Sequence, residues 1–91
     1  MSSDRRTRIE EKLRSELGAR VEVVDESHLH AGHAGAREGR GHFRARIVSP
    51  RFEGLSRVER QRLVYGVLER EMREEIHALA LETRAPSEVD G

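Results

Sequence analysis

Five histidines and no cysteine limit the chemistry open to this 91-residue chain. His28, His30 and His33 fall within Glu26-Ser27-His28-Leu29-His30-Ala31-Gly32-His33-Ala34-Gly35, and His42 follows soon after. His77 sits in the apolar run Ile76-His77-Ala78-Leu79-Ala80-Leu81. Soft or borderline metals would have to be bound through neutral imidazole, and any thiolate would have to come from a partner. His30 and His33 stand three residues apart in a Gly/Ala-rich stretch, so a turn there can present both imidazoles together. Binding by the neutral base should weaken as pH falls through the histidine range. The competing reading is an exposed Gly/His loop with adventitious metal affinity. His28 follows a strand directly and suits local packing or hydrogen bonding. Strand parity puts His77 on the same face as Leu79 and Leu81, at a strand start that is open to a ligand. His42 alternates with Arg44 and Arg46 on a polar face and reads as structural.

Two other chemistries are weaker. The formal net charge is zero, but residues 40–73 carry nine arginines and four glutamates, a net of +5. Residues 74–91 carry −4 and residues 1–39 carry −1. The basic middle suits an anionic partner, or else an ordinary solvated surface of mixed charge. Arg57, Arg60 and Arg62 fall in the first turns of a helix, where guanidinium groups could meet DNA phosphates. Only Phe43, Phe52 and Tyr65 are aromatic, which leaves no stacking platform for bases. Gly32-His33-Ala34-Gly35 has the Gly-x-x-Gly spacing of nucleic-acid-binding KH loops, but it lies between strands rather than helices. Asp25-Glu26-Ser27-His28 resembles part of a hydrolytic triad without its spacing, so no enzymatic activity is expected.

The elements that must position these residues follow from periodicity. Ile9, Leu13 and Leu17 recur every four residues and predict a helix from about Ser3 to Leu17, ended by Gly18. Val21-Glu22-Val23-Val24-Asp25 reads as a strand. Residues 27–41 hold four glycines and no apolar period, and predict a mobile loop. In His42–Val48, Phe43, Ala45 and Ile47 alternate with His42, Arg44 and Arg46, as in a half-buried strand. Ser49–Gly54 is a turn with Phe52 tucked inward. Ser56 and Glu59 have capping-box spacing ahead of a helix running to about Arg73. That helix should place Val58, Val64, Tyr65, Leu68 and Met72 near one face, with Gly66 allowing close packing on the sheet. Ile76–Thr83 is the third strand, and Pro86 with a polar tail ends the fold. The order α-β-β-α-β predicts an α+β fold with a mixed three-stranded sheet. Helices should cover one of its faces, and the crossover to the last strand should be parallel and right-handed.

One domain is expected over residues 1–91, with its core at about 3–84 and residues 85–91 as a polar tail. A chain of this size buries only about 60–65% of its unfolded surface, so its stability should be modest. No apolar run is long enough to span a membrane, and the opening residues lack the apolar core of a signal peptide. A cytoplasmic protein, monomeric or weakly dimeric alone, is therefore expected.

Taken in order, the motifs resemble the BolA family. They are Asp25-Glu26-Ser27-His28, Gly41-His42-Phe43, Val48-Ser49-Pro50-Arg51-Phe52-Glu53-Gly54, Arg60-Gln61-Arg62-Leu63-Val64-Tyr65 and Ile76-His77-Ala78-Leu79-Ala80-Leu81. The resemblance implies a fold similar to the class II KH domain. It also implies partnership with a monothiol glutaredoxin of the Cys-Gly-Phe-Ser type, sharing a [2Fe-2S] cluster whose other ligands are glutaredoxin and glutathione thiolates. On this resemblance His77 is one ligand and His30 the other, with His33 and His28 as alternatives in the same loop. Iron–sulfur trafficking or iron sensing would follow. Some family members are described as DNA-binding regulators of stress response and cell shape, a role for which Arg57, Arg60 and Arg62 are the candidates. Gln61 stands where the family commonly has histidine.

Overall fold

The computed structural model describes residues 5–18, 20–27 and 41–89. Helix α1 (Arg5–Leu17) is followed by strands β1 (Arg20–Asp25) and β2 (Gly41–Val48) and a short 3-10 turn, Pro50–Phe52. Then come α2 (Arg57–Val67), α3 (Glu69–Glu74), β3 (Ile76–Arg84) and a last helical turn α4 (Pro86–Val89). The sheet order is β1-β2-β3, with β1 antiparallel to β2 and β3 parallel to it. This is the expected α+β mixed sheet.

Burial follows strand alternation. Val21 and Val23 on β1 and Phe43, Ala45 and Ile47 on β2 are buried, and they cluster with Ile9, Leu13 and Leu17 of α1 and with Phe52, Val64 and Leu68. Glu22, Arg44 and Arg46 face the opposite way and are exposed. The helices therefore cover one face only. Gly18 ends α1 at φ +57°, donating its N–H to the Arg14 carbonyl at 3.0 Å. A residue without Cβ reaches that conformation without strain. Ser49, fully buried, donates its hydroxyl to the Leu17 carbonyl at 2.8 Å and accepts from the Arg51 amide at 3.1 Å. It joins the end of α1 to the turn that tucks Phe52 inward. The predicted capping box is present: the Ser56 amide donates to Glu59 Oε1 at 2.8 Å and the Glu59 amide to Ser56 Oγ at 3.1 Å.

Four expectations need correction. The long second helix is two segments, because Leu68 leaves helical dihedrals at φ −100°, ψ 22° while it inserts fully into the core. Val58 and Tyr65 are exposed, since the buried stripe runs through Val64 and Leu68 with Leu63, Val67 and Met72 beside it. Gly66 does not serve close packing, for a Cβ placed there would meet nothing within 4 Å. The polar tail begins with an ordered turn. Pro86 starts α4, and Glu88 folds back so that the Ala85 amide donates to its Oε1 at 2.7 Å. The histidine-rich stretch 28–40 lies outside the described residues.

Candidate functional site

The ends of three segments meet at one end of the sheet. β1 closes at Asp25, whose Oδ1 accepts from the Ser27 amide at 2.8 Å. The Glu26 amide donates to the His42 carbonyl at 2.8 Å, and the His42 amide donates to Ser27 Oγ at 3.0 Å. The Gly41 amide donates to the Glu75 carbonyl at 2.9 Å, which brings the start of β2 beside the start of β3. Asp25, Glu26 and Ser27 are thus occupied in fastening backbone. Glu26 has a second task, accepting from Arg44 Nε at 3.1 Å. The Ser27 hydroxyl accepts from the His42 amide, and His28 lies outside the described residues.

Gly41 has no room for a side chain. A Cβ there would lie 2.7 Å from the Phe43 ring and 2.9 Å from Ser27 Oγ. The backbone can pass this point only as glycine, between a core aromatic and the hydroxyl that closes β1.

His77 departs from its expected face. Gly41 pairs with Ile76 but His42 pairs with Ala78, so the β2–β3 register slips by one residue at this point. Strict alternation would have sent His77 inward with Leu79 and Leu81. The slip lets Ile76 be buried in its place, and His77 is exposed. Its ring lies against that of His42, with centroids 5.0 Å apart and planes inclined at 52°. His42 itself is 8% exposed, although its neighbours Arg44 and Arg46 on the same face are open to water. Sequence alternation placed His42 on the polar face with Arg44 and Arg46, and missed both its burial and its contact with His77.

The described residues contain no group of three or more histidines or carboxylates placed to hold a metal. They offer one exposed imidazole, His77, at the place where the chain departs toward and returns from residues 28–40. His28, His30 and His33 belong to that undescribed stretch.

The basic residues divide. Arg57 and Arg62 are exposed on α2. Arg60 is turned inward, with its side chain 11% exposed. Its Nε donates to the Leu55 carbonyl at 3.0 Å, and its two terminal nitrogens meet Glu88 at 2.6 and 3.1 Å. The guanidinium also lies 5.8 Å from the Phe52 ring centroid. Paired so closely, Glu88 is held at about 2, first by Arg60 and next by the Ala85 amide. The structure therefore separates Arg60 from the other two arginines: a phosphate could reach its terminal nitrogens only by displacing Glu88.

No helix among the described residues is long and apolar enough to cross a membrane. The family model for BolA-like proteins matches residues 9–88. Over 88 residues the chain is 46% identical to SufE-like protein 1, chloroplastic/mitochondrial, of Arabidopsis thaliana, covering 90% of this chain and 24% of that protein. Over 87 residues it is 42% identical to the DNA-binding transcriptional regulator BolA of Escherichia coli K12, covering 94% of this chain and 80% of that one. The chain thus spans about a quarter of the plant relative and most of the bacterial one. Among solved structures, the BolA domain of SufE1 from Arabidopsis thaliana superposes with a TM-score of 0.84 at 43% identity, covering 98% of this chain and all of that domain.

Proposed function

The chain belongs to the BolA-like protein family, and on that premise we propose that it partners a monothiol glutaredoxin and shares a [2Fe-2S] cluster with it. The observation that carries this reading is the exposed His77 beside the two ends of the histidine-rich stretch. Such a cluster takes four ligands, and a chain without cysteine, with one exposed imidazole among the described residues at this corner, suits a shared site rather than a resident one. His77 and a histidine from residues 28–40, His30 first and His33 as its substitute, would be this chain's contribution. The glutaredoxin cysteine and a glutathione would supply thiolates. When bound, the cluster supplies electron-accepting and iron-delivering chemistry, and imidazole in place of thiolate on one iron raises its potential. The chain's own part is to present neutral imidazole, which makes retention weaken as pH falls through the histidine range. The role is cluster trafficking or iron sensing without turnover, in a reducing compartment such as the cytoplasm.

The test is anaerobic reconstitution followed by absorption and circular dichroism spectra. The chain alone should gain little visible absorbance, and the mixture with glutaredoxin and glutathione should gain a stable cluster spectrum. His77→Ala should abolish that spectrum. His30→Ala should weaken or alter it, and the His30→Ala/His33→Ala double variant should remove it. Unchanged spectra in both His77→Ala and the double variant would sink the assignment.

A second reading, DNA-binding regulation, is supported by the printed role of the Escherichia coli relative and by exposed Arg57 and Arg62. Duplex affinity that falls steeply with salt, with a slope of about 0.9 per neutralised phosphate, is the expected signature.

A further inference from the structure

A cavity of about 520 Å³ opens beside the free edge of β3. Arg57 and Arg60 reach it from α2, Arg44, Glu82 and Arg84 from the sheet, and Glu88 from α4. Its size is that of a small-ligand site, but its walls are charged rather than apolar.

The charges on those walls do not balance. Glu82 is taken by Arg46 at 3.5 Å, and Glu88 by Arg60 at 2.6 Å. Arg44 holds Glu26 from outside the cavity at 3.1 Å. Arg57 and Arg84 are exposed and have no carboxylate within 4.0 Å among the described residues. Two guanidinium groups without a close ion-pair partner therefore line one concave surface, Arg84 within the electrostatic reach of Glu88. Guanidinium is the side chain best matched to phosphoryl oxygens, which it can bind through paired N–H donors.

Glu88 occupies the third guanidinium as an anion would. Arg60 does not depend on it for position, because Nε holds the Leu55 carbonyl and the aliphatic stem is buried against the fold. The segment that brings Glu88 in is short. α4 is four residues long, and its side-chain clasps are Glu88 on Arg60 and the hydroxyl of Ser87 on Glu53 at 3.0 Å.

We propose that this cavity binds a phosphoryl group between Arg57 and Arg84, and that the Glu88 carboxylate competes with it for Arg60. The site is independent of the cluster reading. It deepens the DNA-binding reading by giving a backbone phosphate a place to bind, and a free phosphate would satisfy the same chemistry.

The test is titration of the full chain at low salt, followed by backbone amide resonances, with inorganic phosphate in one arm and a short DNA duplex in the other. Both should shift the amides of Arg57 and Arg84. Arg57→Gln and Arg84→Gln should each weaken phosphate binding about tenfold, while Arg62→Gln, on the same helix but outside the cavity, should leave it unchanged. Glu88→Gln should tighten binding about threefold by removing a charged competitor. Because Glu88→Gln also loosens α4, Ser87→Ala is the control: it removes the hydroxyl clasp on Glu53, leaves every charge and Glu88 on Arg60 in place, and should not tighten binding. In the duplex arm, removing both Arg57 and Arg84 should lower the logarithmic salt slope by about 2.

No phosphate response in either the wild type or Glu88→Gln would overturn the cavity. Failure of Glu88→Gln to tighten binding would overturn the competition. Duplex binding indifferent to Arg57→Gln and Arg84→Gln would overturn the cavity as a DNA contact and leave DNA binding elsewhere standing. Phosphate binding without duplex binding would uphold the cavity, assign it to a free phosphate, and count against the DNA-binding reading.

Discussion

The imidazoles of His42 and His77 lie 5.0 Å apart across a one-residue slip in the β2–β3 register. Without the slip, His77 would point with Leu79 into the helix-covered face. With it, an ionisable side chain is exposed, and a mostly buried neighbour restricts its ring.

On the shared-cluster proposal, that contact assigns His42 a positioning role for His77. His42→Ala should leave cluster stoichiometry with glutaredoxin intact but change the visible circular dichroism, because the ring of His77 loses its neighbour. Outer groups that orient a ligand typically alter metal retention about 10–100-fold. A variant spectrum identical to wild type in shape and lifetime would remove His42 from the site.

Two glycines should respond in opposite directions to alanine. Gly41→Ala forces a methyl group against the Phe43 ring and Ser27 Oγ, and should cost about 1–3 kcal/mol. Gly66→Ala meets no atom within 4 Å and should gain about 0.5–1 kcal/mol from helix propensity. Urea denaturation of both variants decides this, and stabilisation by Gly41→Ala would contradict the crowding described at the sheet end.

Lys12, the chain's one lysine, pins α1 to α3 by donating to both oxygens of Glu71, at 3.1 and 3.2 Å. Burial pushes the Glu71 carboxyl upward, but its backbone hydrogen bond, Lys12 and Arg70 together outweigh this and hold it below the ordinary range. A depressed carboxylate contributes stability above the unfolded pKa and loses it as pH falls through the folded value. Lys12→Met should cost about 1–2 kcal/mol at neutral pH, less than a fully buried pair because Lys12 is 38% exposed and Arg70 remains. It should also reduce the loss of stability on acidification. Adding Glu71→Leu should recover most of the deficit. Thermal melts at neutral and acidic pH measure both effects.

Acid should also loosen the last turn. Glu88 is depressed from 4.5 to about 2 by Arg60 and then by the Ala85 amide. Its contribution is complete above about pH 4.5 and disappears as pH falls through about 2. The protection factors of the Ala85 and Glu88 amides, taken against the intrinsic exchange rate at each pH, should fall over that interval in the wild type, and the step should be absent in Glu88→Gln. Protection factors in the wild type that stay constant across this range would mean that Arg60 does not hold α4.

The elements were readable from the chain because each carries a local signal. Four-residue spacing of Ile9, Leu13 and Leu17 marked α1, alternation from Phe43 to Ile47 marked β2, and Ser56 with Glu59 marked the start of α2. The family resemblance rested on motifs in order, and the family match over residues 9–88 agrees with it. Sequence periodicity failed where a residue's surroundings come from distant segments. Leu68 is fully buried where the helix dihedrals lapse, and Arg60 meets a carboxylate, Glu88, that lies 28 residues away.

By itself, then, the sequence determined the order of elements, the faces of β1 and β2, the caps, and the absence of thiolate that restricts this chain to imidazole donors. Those properties depend on residue type and on spacing within a turn or strand. Tertiary structure alone decided that His77 is exposed and touches His42, that Arg60 is closely ion-paired while Arg57 and Arg84 are not, and that Glu88 enters an arginine-lined cavity. Register slips and ion pairs between distant segments depend on how the elements pack, and no local period encodes them.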